Sequence, residues 1–210
     1  MRVADFSIER HIIQKGFKTI AGIDEAGRGA LFGPVVAASV ILPSCFMTDG
    51  HPPWVRDIDD SKRLSPKKRK ILARLILEQA SSIGIGLATN GEIDRQNIYW
   101  ASLEAMRRAV SHMPIEPEYL LVDGFQLGSV LLPQTGVPQG DRKSTTIAAA
   151  SILAKVLRDE IIVFLDKVYA GYGLGRNKGY GTKEHYDALK RLGPSDFHRG
   201  SFNLGACEQK

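Results

Sequence analysis

The chain has 210 residues, and 28 Lys plus Arg against 23 Asp plus Glu give it a formal net charge of +5. A hydrophobic share of 43% and a charged share of 24% are ordinary for a globular protein, which excludes wholesale disorder and favours a single domain over residues 1–210. The chain has only two cysteines, Cys45 and Cys207, which argues against a disulfide framework. No apolar run approaches the roughly 20 residues that a membrane span requires, so we expect a cytoplasmic protein.

The first part of the chain predicts two strands, a loop and a helix. Thr19–Ile23 is a short apolar run that ends in charge, and Pro34–Leu42 is rich in β-branched residues, so both are typical of strands. Ser44–Asp60 contains prolines, a glycine and several aspartates, which predicts a loop. The pattern becomes helical at Ser65, because serine is a good N-cap, Pro66 suits the first helical position, and apolar residues then recur at helical spacing.

The remainder of the chain alternates between strand-like and helix-like segments. Ser82–Thr89 alternates like a strand, although its glycines weaken that assignment. Gly91–Met113 and Lys143–Val168 are long helical stretches, and the apolar strand Glu118–Val122 lies between them. Thr182–Leu192 predicts a last amphipathic helix. Strands interleaved with helices predict an α/β fold with a mixed sheet.

Acidic residues directly follow two of these predicted strands. Asp24 and Glu25 come after the first strand, and Asp123 comes after Glu118–Val122. If the two strands are neighbours, Asp24 and Asp123 lie close together, and carboxylates at such a spacing repel each other unless a cation or a proton intervenes. Their hard oxygen ligands suit Mg²⁺ or Mn²⁺ rather than zinc. Asp141, at the start of the long helix, is a fourth candidate ligand.

Two of the candidate ligands, Asp123 and Asp141, also have a purely structural explanation. Asp123 precedes a glycine in a typical turn, and Asp141 suits a helix N-cap. Asp60 is interpreted as a loop residue, and Asp159, inside the long helix, as a surface or ion-pair residue. Two acidic strand ends in one chain of this size nevertheless favour a metal site.

The glycine-rich loop Gly27–Gly33 superficially resembles a dinucleotide-binding fingerprint. That fingerprint requires a helix after the glycines, whose N-terminus meets the pyrophosphate. Here the chain continues from Pro34 into a strand, and two acids precede the glycines, so a dehydrogenase is disfavoured. The glycines still permit a close approach of the backbone to a ligand, such as a sugar hydroxyl.

Two basic segments favour an anionic partner. One is a run without acids, which is interpreted either as a phosphate-binding patch or as a solvated helix face. It comprises Lys62, Arg63, Lys67, Lys68, Arg69, Lys70 and Arg74. The other surrounds Tyr180, which lies between glycines and is able to stack on a sugar or base, or else packs within a surface loop. His198 and Arg199 are interpreted either as a phosphate contact or as partners of Asp196. The acids suit a divalent ion, and basic and aromatic residues suit a nucleic acid. This combination indicates metal-assisted cleavage of a phosphodiester.

An ordered set of motifs resembles the type 2 ribonucleases H, specifically the bacterial ribonuclease HII family. The set extends from about Ile20 to Phe202, nearly the whole chain. The motifs are GIDEAGRG (Gly22–Gly29), GPVVAA (Gly33–Ala38), DSKRLSPKKR (Asp60–Arg69), LLVDG (Leu120–Gly124), GDRKSTTIAAASILAKVLRDE (Gly140–Glu160), KGYGTKEH (Lys178–His185) and HRGSF (His198–Phe202). The resemblance implies a ribonuclease H-like fold with a central five-stranded mixed sheet flanked by helices.

The resemblance also implies an activity. It is hydrolysis of the RNA strand of RNA–DNA hybrids and incision at single ribonucleotides in duplex DNA, by two-metal-ion catalysis with Mg²⁺ or Mn²⁺, leaving 5′-phosphate and 3′-hydroxyl ends. Such an endonuclease acts in ribonucleotide excision during DNA replication and repair, and we expect a monomer. Two alternatives are a noncatalytic duplex-binding module and a hydrolase of small phosphate esters.

The resemblance assigns roles to individual residues. The four metal-site acids correspond to Asp24, Glu25, Asp123 and Asp141. The loop that reads the ribose 2′-hydroxyl through its backbone corresponds to Gly27, Arg28 and Gly29. Tyr180 corresponds to the residue that stacks on the deoxyribose after the ribonucleotide, and Lys62 to a contact near the scissile phosphate.

Overall fold

The framework of the protein is a five-stranded mixed sheet, seen in a computed structural model that describes residues 4–205. The strands are β1 (Ile20–Ala26), β2 (Val35–Ile41), β3 (Ser82–Ala88), β4 (Tyr119–Asp123) and β5 (Gln134–Val137). They lie in the order β3-β2-β1-β4-β5. β2 is antiparallel to both β1 and β3, whereas β4 is parallel to both β1 and β5. The predicted α/β fold with a mixed sheet is therefore confirmed.

Helices cover both faces of this sheet. They are α1 (Ser7–Gln14), α2 (Cys45–Thr48), α3 (Pro66–Gln79), α4 (Asn90–Ser111), α5 (Thr145–Asp166), α6 (Leu174–Asn177) and α7 (Lys183–Leu192). α4 packs on one face against residues such as Ile23 and Val122, while the alanine-rich first half of α5 packs on the other face against Ala38 and Val40. Among residues 4–205, no helix is both long and apolar enough to cross a bilayer.

Glycines in the strands let the two large helices approach the sheet closely. A Cβ atom on Gly84 would lie 1.9 Å from the carbonyl oxygen of Ala109 in α4. On the other face, a Cβ atom on Gly22 of β1 would lie 2.3 Å from the carbonyl carbon of Thr146 in α5. The glycines that weakened the prediction of β3 are therefore required by helix packing.

We expect Gly22→Ala to lower the free energy of unfolding by about 3 kcal/mol, because the new methyl group overlaps the backbone of α5 and neither element is able to move without losing packing. Gly91→Ala is the matched control, since nothing lies within 4 Å of a Cβ at that helical position. It should be neutral or stabilise the protein by about 0.5 kcal/mol. Urea denaturation of both variants checks the prediction, and equal stabilities would contradict it.

Four helices begin at a hydroxyl cap. The side-chain oxygen of Ser65 accepts the backbone N–H of Lys68 at 3.2 Å, as the sequence predicts. Thr89, Ser144 and Thr182 cap α4, α5 and α7 in the same way. These caps satisfy N–H groups that the first turn of a helix leaves unpaired.

The structure differs from the predicted elements at several points, among them α6, which was not predicted. β1 continues to Ala26, so its two acids lie within the strand rather than after it. The segment 44–60, predicted as a loop, contains α2 and a 3-10 turn at Pro53–Asp57. α1 and the four-residue β5 have no counterpart in the apolar pattern. Cys45 is an exposed free thiol, and Cys207 lies outside the described residues.

Candidate active site

Asp24 of β1 and Asp123 of β4 lie side by side at the carboxyl ends of two parallel strands. The register pairs Ile23 with Val122, so the next residue on each strand is an aspartate. Both aspartates share the face covered by α5, because Gly22 and Leu121, two positions earlier on their strands, pack against that helix. Asp24 is 5% exposed. Two carboxylates thus lie near the carboxyl ends of two inner strands, which are about 4.8 Å apart.

The four predicted acids influence one another electrostatically. Burial raises the pKa of Asp24 well above its usual range, and the charges of Glu25 and Asp123 raise it further. Burial also raises the pKa of Glu25, against the lowering effect of Arg28, 3.4 Å away. Burial raises the pKa of Asp141, and the charge of Asp123 adds to that effect. The cluster therefore accumulates negative charge that a cation would relieve.

Asp141 lies in the 3-10 turn Gly140–Arg142, which is anchored to the end of β4. The carboxylate Oδ1 of Asp123 accepts the N–H of Gly140 at 2.6 Å. Beyond the turn, the buried Glu9 of α1 accepts the hydroxyls of Ser144 and Thr146 at 2.6 and 2.8 Å. Glu9 thereby fixes the start of α5 next to Asp141, a role that nothing in its local sequence indicates.

Asp60 is not the simple loop residue that its sequence context predicts. It is 1% exposed, and its Oδ2 accepts two hydrogen bonds from the guanidinium of Arg142 at 3.0 and 3.1 Å. Its Oδ1 accepts the N–H of Lys62 at 2.9 Å. The charge of Asp60 raises the pKa of Asp141, and the charge of Lys62 lowers it. Asp60 therefore holds Lys62 beside the acids.

The predicted substrate-binding residues line a single cleft of about 790 Å³. Glu25 also lines this cleft, with five further basic side chains and Ser151 of α5, whose hydroxyl lies 3.0 Å from that of Ser61 and lowers the pKa of Asp24. The predicted site residues in the cleft are Glu25, Gly27, Arg28, Gly29, Lys62 and Tyr180, and the further bases are Arg69, Lys70, Lys155, Arg176 and Lys178. Asp24, Asp123 and Asp141 are not among the lining residues, and Asp24 is buried next to Glu25, which is one of them.

Two buried arginines fix the glycine loop. Arg158 of α5 donates to the carbonyls of Phe32, Pro34 and Lys178 at 3.1, 3.1 and 2.9 Å. Arg199 donates to the carbonyls of Gly33 and Arg28 at 3.0 and 2.9 Å. Both side chains are fully buried. Arg158 gave no signal in the sequence, because an arginine beside an acid on a helix is typical of a solvated surface.

Gly27 has to be a glycine in this arrangement. Its φ of +100° disfavours other residues, and a Cβ atom there would lie 2.0 Å from Nε of Arg158. The same guanidinium lies 5.2 Å from the ring centroid of Tyr180. Arg158 therefore contacts both the loop that follows the acids and the aromatic residue of the cleft.

His198 and Arg199 serve neither of their two predicted roles. They are 4% and 0% exposed, so they do not present a phosphate contact on the surface. Arg199 bonds to backbone carbonyls rather than to Asp196. His198 lies 3.1 Å from His185, between their Nε2 atoms. The HRGSF segment is thus an internal support.

We expect the free energy of unfolding to decrease as the pH falls from about 6.5 towards 4, by at most about 3 kcal/mol from this histidine. Burial, and then the charge of His185, lower the pKa of His198 from 6.5 to about 4. The unfolded chain therefore binds a proton in this window that the folded chain does not, and stability is complete above pH 6.5. Urea denaturation at about pH 7 and about pH 5 should show a smaller change for His198→Gln; an identical change would contradict the assignment.

The basic run after Lys62 is mostly neutralised by acids. Arg63 pairs with Asp59, Lys68 with Asp57, Arg69 with Asp159, Lys70 with Glu160 and Arg74 with Glu78. Most of these pairs are at the surface, where each contributes little to stability. The run is closer to the solvated helix face than to a free phosphate-binding patch, and Asp159 is the ion-pair residue that was predicted.

Carboxylate oxygens are the donor set that a hard divalent ion requires, and the four acids provide it. Within residues 4–205, no three acidic, histidine or cysteine side chains are already spaced to hold a metal ion. The raised pKa values of Asp24, Glu25 and Asp141 show that these carboxyls disfavour ionisation together. The residues therefore fit a cation, with rotation of side chains around it.

Comparisons with known proteins agree on one family. A family model described as Ribonuclease HII matches residues 21–204. The chain is 49% identical to the ribonuclease HII of Moorella thermoacetica over 197 residues, covering 94% of this chain and 92% of that protein. In structure it resembles the ribonuclease H2 of Pyrococcus horikoshii, with a TM-score of 0.71 and 25% identity over 89% of this chain and 94% of that one. It also resembles the ribonuclease HII of Archaeoglobus fulgidus, solved in complex with PCNA, with a TM-score of 0.73 and 25% identity over 91% and 97% of the two chains. The ribonuclease H-like fold is confirmed.

Proposed function

The chain belongs to the ribonuclease HII family, and on that basis we propose that its acids form the metal site of an endonuclease acting on RNA–DNA hybrids and on single ribonucleotides in duplex DNA. The observation that carries the proposal is the adjacency of Asp24 and Asp123 on two parallel strands, next to Glu25, which lines a cleft with basic side chains. Glu25 and Asp141 complete the set through their electrostatic coupling to Asp123.

Two of the acids accept backbone N–H groups. The N–H of Glu25 donates to Oδ1 of Asp24 at 2.7 Å. The N–H of Gly140 donates to Asp123. Two Mg²⁺ or Mn²⁺ ions held here would supply a water of lowered pKa for attack on the phosphorus and charge stabilisation for the departing 3′ oxygen. The products then carry 5′-phosphate and 3′-hydroxyl ends.

The loop after β1 is the element proposed to distinguish RNA from DNA. The 2′-hydroxyl is the only group that separates a ribonucleotide from its deoxy counterpart, so the enzyme has to contact it. Gly27, Arg28 and Gly29 line the cleft next to Glu25, and a Cβ atom on Gly29 would meet no atom within 4 Å. The backbone at this point is accessible to a ribose, and Lys62 provides a positive charge for a nearby phosphate.

We expect Tyr180→Ala to slow cleavage at single ribonucleotides more than cleavage of a uniform hybrid. Loss of a stacking ring costs about 1–3 kcal/mol, which is roughly 5- to 150-fold in rate. Tyr180→Phe is the control, because it keeps the ring whose centroid lies 5.1 Å from the Lys155 ammonium and 5.2 Å from the Arg158 guanidinium. The measurement is kcat/KM on both substrates; equal losses would exclude a junction-sensing role for Tyr180.

The direct test of the function uses duplex DNA that carries one ribonucleotide. Purified protein with Mg²⁺ or Mn²⁺ should cut the ribonucleotide strand and leave an all-DNA duplex intact. Binding without hydrolysis, unchanged by divalent ions, would instead support a duplex-binding module. Activity on free nucleotides that is indifferent to salt would support a hydrolase of small phosphate esters.

A further inference from the structure

A chain of hydrogen bonds connects the turn before HRGSF to the backbone of Tyr180. It starts at Ser195, whose backbone N–H lies 2.9 Å from Nδ1 of His198. A backbone N–H is only able to donate, so this Nδ1 accepts and carries no proton. The ring proton of neutral His198 is therefore on Nε2.

The next two bonds follow from the first. Nε2 of His198 lies 3.1 Å from Nε2 of His185, so the His198 nitrogen donates and the His185 nitrogen accepts. The proton of neutral His185 is then on Nδ1, which lies 3.0 Å from the carbonyl oxygen of Tyr180. One proton arrangement satisfies all three bonds, with both imidazoles neutral.

The surroundings of the two histidines favour their neutral forms. Rings of Phe32 and Tyr172 pack on His198, with centroids 4.9 and 4.8 Å away. Tyr172 also faces His185, and the charge of Glu184 raises the pKa of His185 less than burial lowers it. Burial lowers the pKa of both histidines below 6.5, so neither is protonated at neutral pH.

Tyr180 is restrained through its backbone on both sides. Its N–H donates to the carbonyl of Asn177 at 3.0 Å, and its carbonyl also accepts the N–H of Thr182 at 2.8 Å. A bridge to Ala30 connects it to the glycine loop. The bond from His185 is the one that comes from the interior of the protein, and it fixes the carbonyl of the residue whose ring faces the cleft.

We propose that His185 and His198 are positioning residues that hold Tyr180 at the angle needed to sense the junction after a ribonucleotide. The proposal rests on the proposed function of Tyr180 and extends it to a pair of buried side chains. Neither histidine lines the cleft, so they act through the Tyr180 carbonyl and not on the substrate.

Two substitutions of His185 separate this role from simple core packing. In His185→Asn, the side-chain nitrogen Nδ2 takes the place of Nδ1 and still donates to the Tyr180 carbonyl, while the contact with His198 is lost. In His185→Gln, the amide group takes the place of Nε2 and keeps the contact with His198, while the donor to Tyr180 is lost. Both remove one bond of the chain, so their melting temperatures should decrease similarly.

The readout is the ratio of kcat/KM on a single-ribonucleotide duplex to kcat/KM on a uniform hybrid. We expect His185→Gln to lower this ratio by about tenfold, in the direction of Tyr180→Ala measured in parallel. His185→Asn should leave the ratio within about twofold of the unsubstituted protein. Equal ratios for the two His185 variants would overturn the proposal. A Tyr180→Ala variant with an unchanged ratio would instead refute the role of Tyr180 itself.

A measurement on the unsubstituted protein removes the dependence on folded variants. Ring ¹⁵N chemical shifts at neutral pH should show His198 protonated on Nε2 and His185 protonated on Nδ1. The opposite tautomer on either ring would break the chain and overturn the proposal.

Discussion

Replacing Asp24 with asparagine is expected to reduce cleavage of the single-ribonucleotide duplex by at least about a thousandfold, because the proposed metal ions would lower the activation barrier by several kcal/mol and Asp24 is a proposed ligand of theirs. Asparagine keeps the oxygen that accepts the N–H of Glu25 at 2.7 Å. The fold should therefore remain intact, and the loss of activity should come from the chemical step and not from unfolding.

The same substitution is expected to stabilise the protein when divalent ions are removed. The folded-state pKa of Asp24 is raised, so its ionised form is disfavoured in the folded chain, and at neutral pH the charge costs stability. Asparagine removes that charge together with its repulsion by Glu25 and Asp123. With a chelator present, the melting temperature of Asp24→Asn should equal or exceed that of the unsubstituted protein.

The comparison needs a control and a metal titration. Asp57→Asn is the matched control, since Asp57 is exposed and pairs with Lys68 at 2.8 Å, outside the cleft. It should retain activity. Adding Mg²⁺ or Mn²⁺ should raise the melting temperature of the unsubstituted protein and of the control, and raise that of Asp24→Asn much less. Full activity of Asp24→Asn would remove Asp24 from the site.

Arg158→Leu is expected to lower the free energy of unfolding by about 4 kcal/mol, the largest stability effect that we predict. It removes the donor to three carbonyls, those of Phe32, Pro34 and Lys178, and each buried acceptor left unpaired costs about 1–3 kcal/mol. Relief of the buried guanidinium charge offsets part of this cost. The loop at Gly27 loses its packing partner at the same time.

Two further variants define what Arg158 contributes. Arg158→Lys should not restore stability, because one ammonium does not match the geometry with which a guanidinium reaches three carbonyls. Arg74→Leu removes an exposed arginine that pairs with Glu78, and it should change stability by less than about 0.5 kcal/mol. Urea denaturation measures all three, and a small effect of Arg158→Leu would show that the loop is held by other contacts.

The parts of the fold that bury apolar side chains were predictable. β2 and β4 are continuous apolar runs, and the strand boundaries from the sequence agree with the structure to within a residue or two. β5 was not predicted from periodicity, because Gln134–Val137 has four residues and a partly exposed face. β1 was predicted too short, since its ladder with β2 continues through Asp24 and Glu25, where the apolar pattern has ended.

The buried charges of the site were not predictable from local pattern. Glu9, Asp60, Arg158 and Arg199 are fully or almost fully buried, whereas charged residues are normally at the surface. Their partners are far away in sequence, as with Asp60 and Arg142, which are 82 residues apart. Asp24, Glu25 and Asp123 were found because they follow apolar runs, and all four proposed metal-site acids lie in motifs of the family. Their role as ligands stays a prediction.

The position of β1 in the middle of the sheet has a consequence for how the protein opens. Native-state amide exchange is slowest where opening requires dissolving the whole sheet, and β1 is hydrogen-bonded along both edges, to β2 and to β4. The ladder with β2 continues through Asp24 and Glu25, although the pairs with β4 end at Ile23, whereas Tyr180 is joined to the glycine loop by an isolated bridge. Partial unfolding of the periphery would expose the cleft long before it disperses the carboxylates.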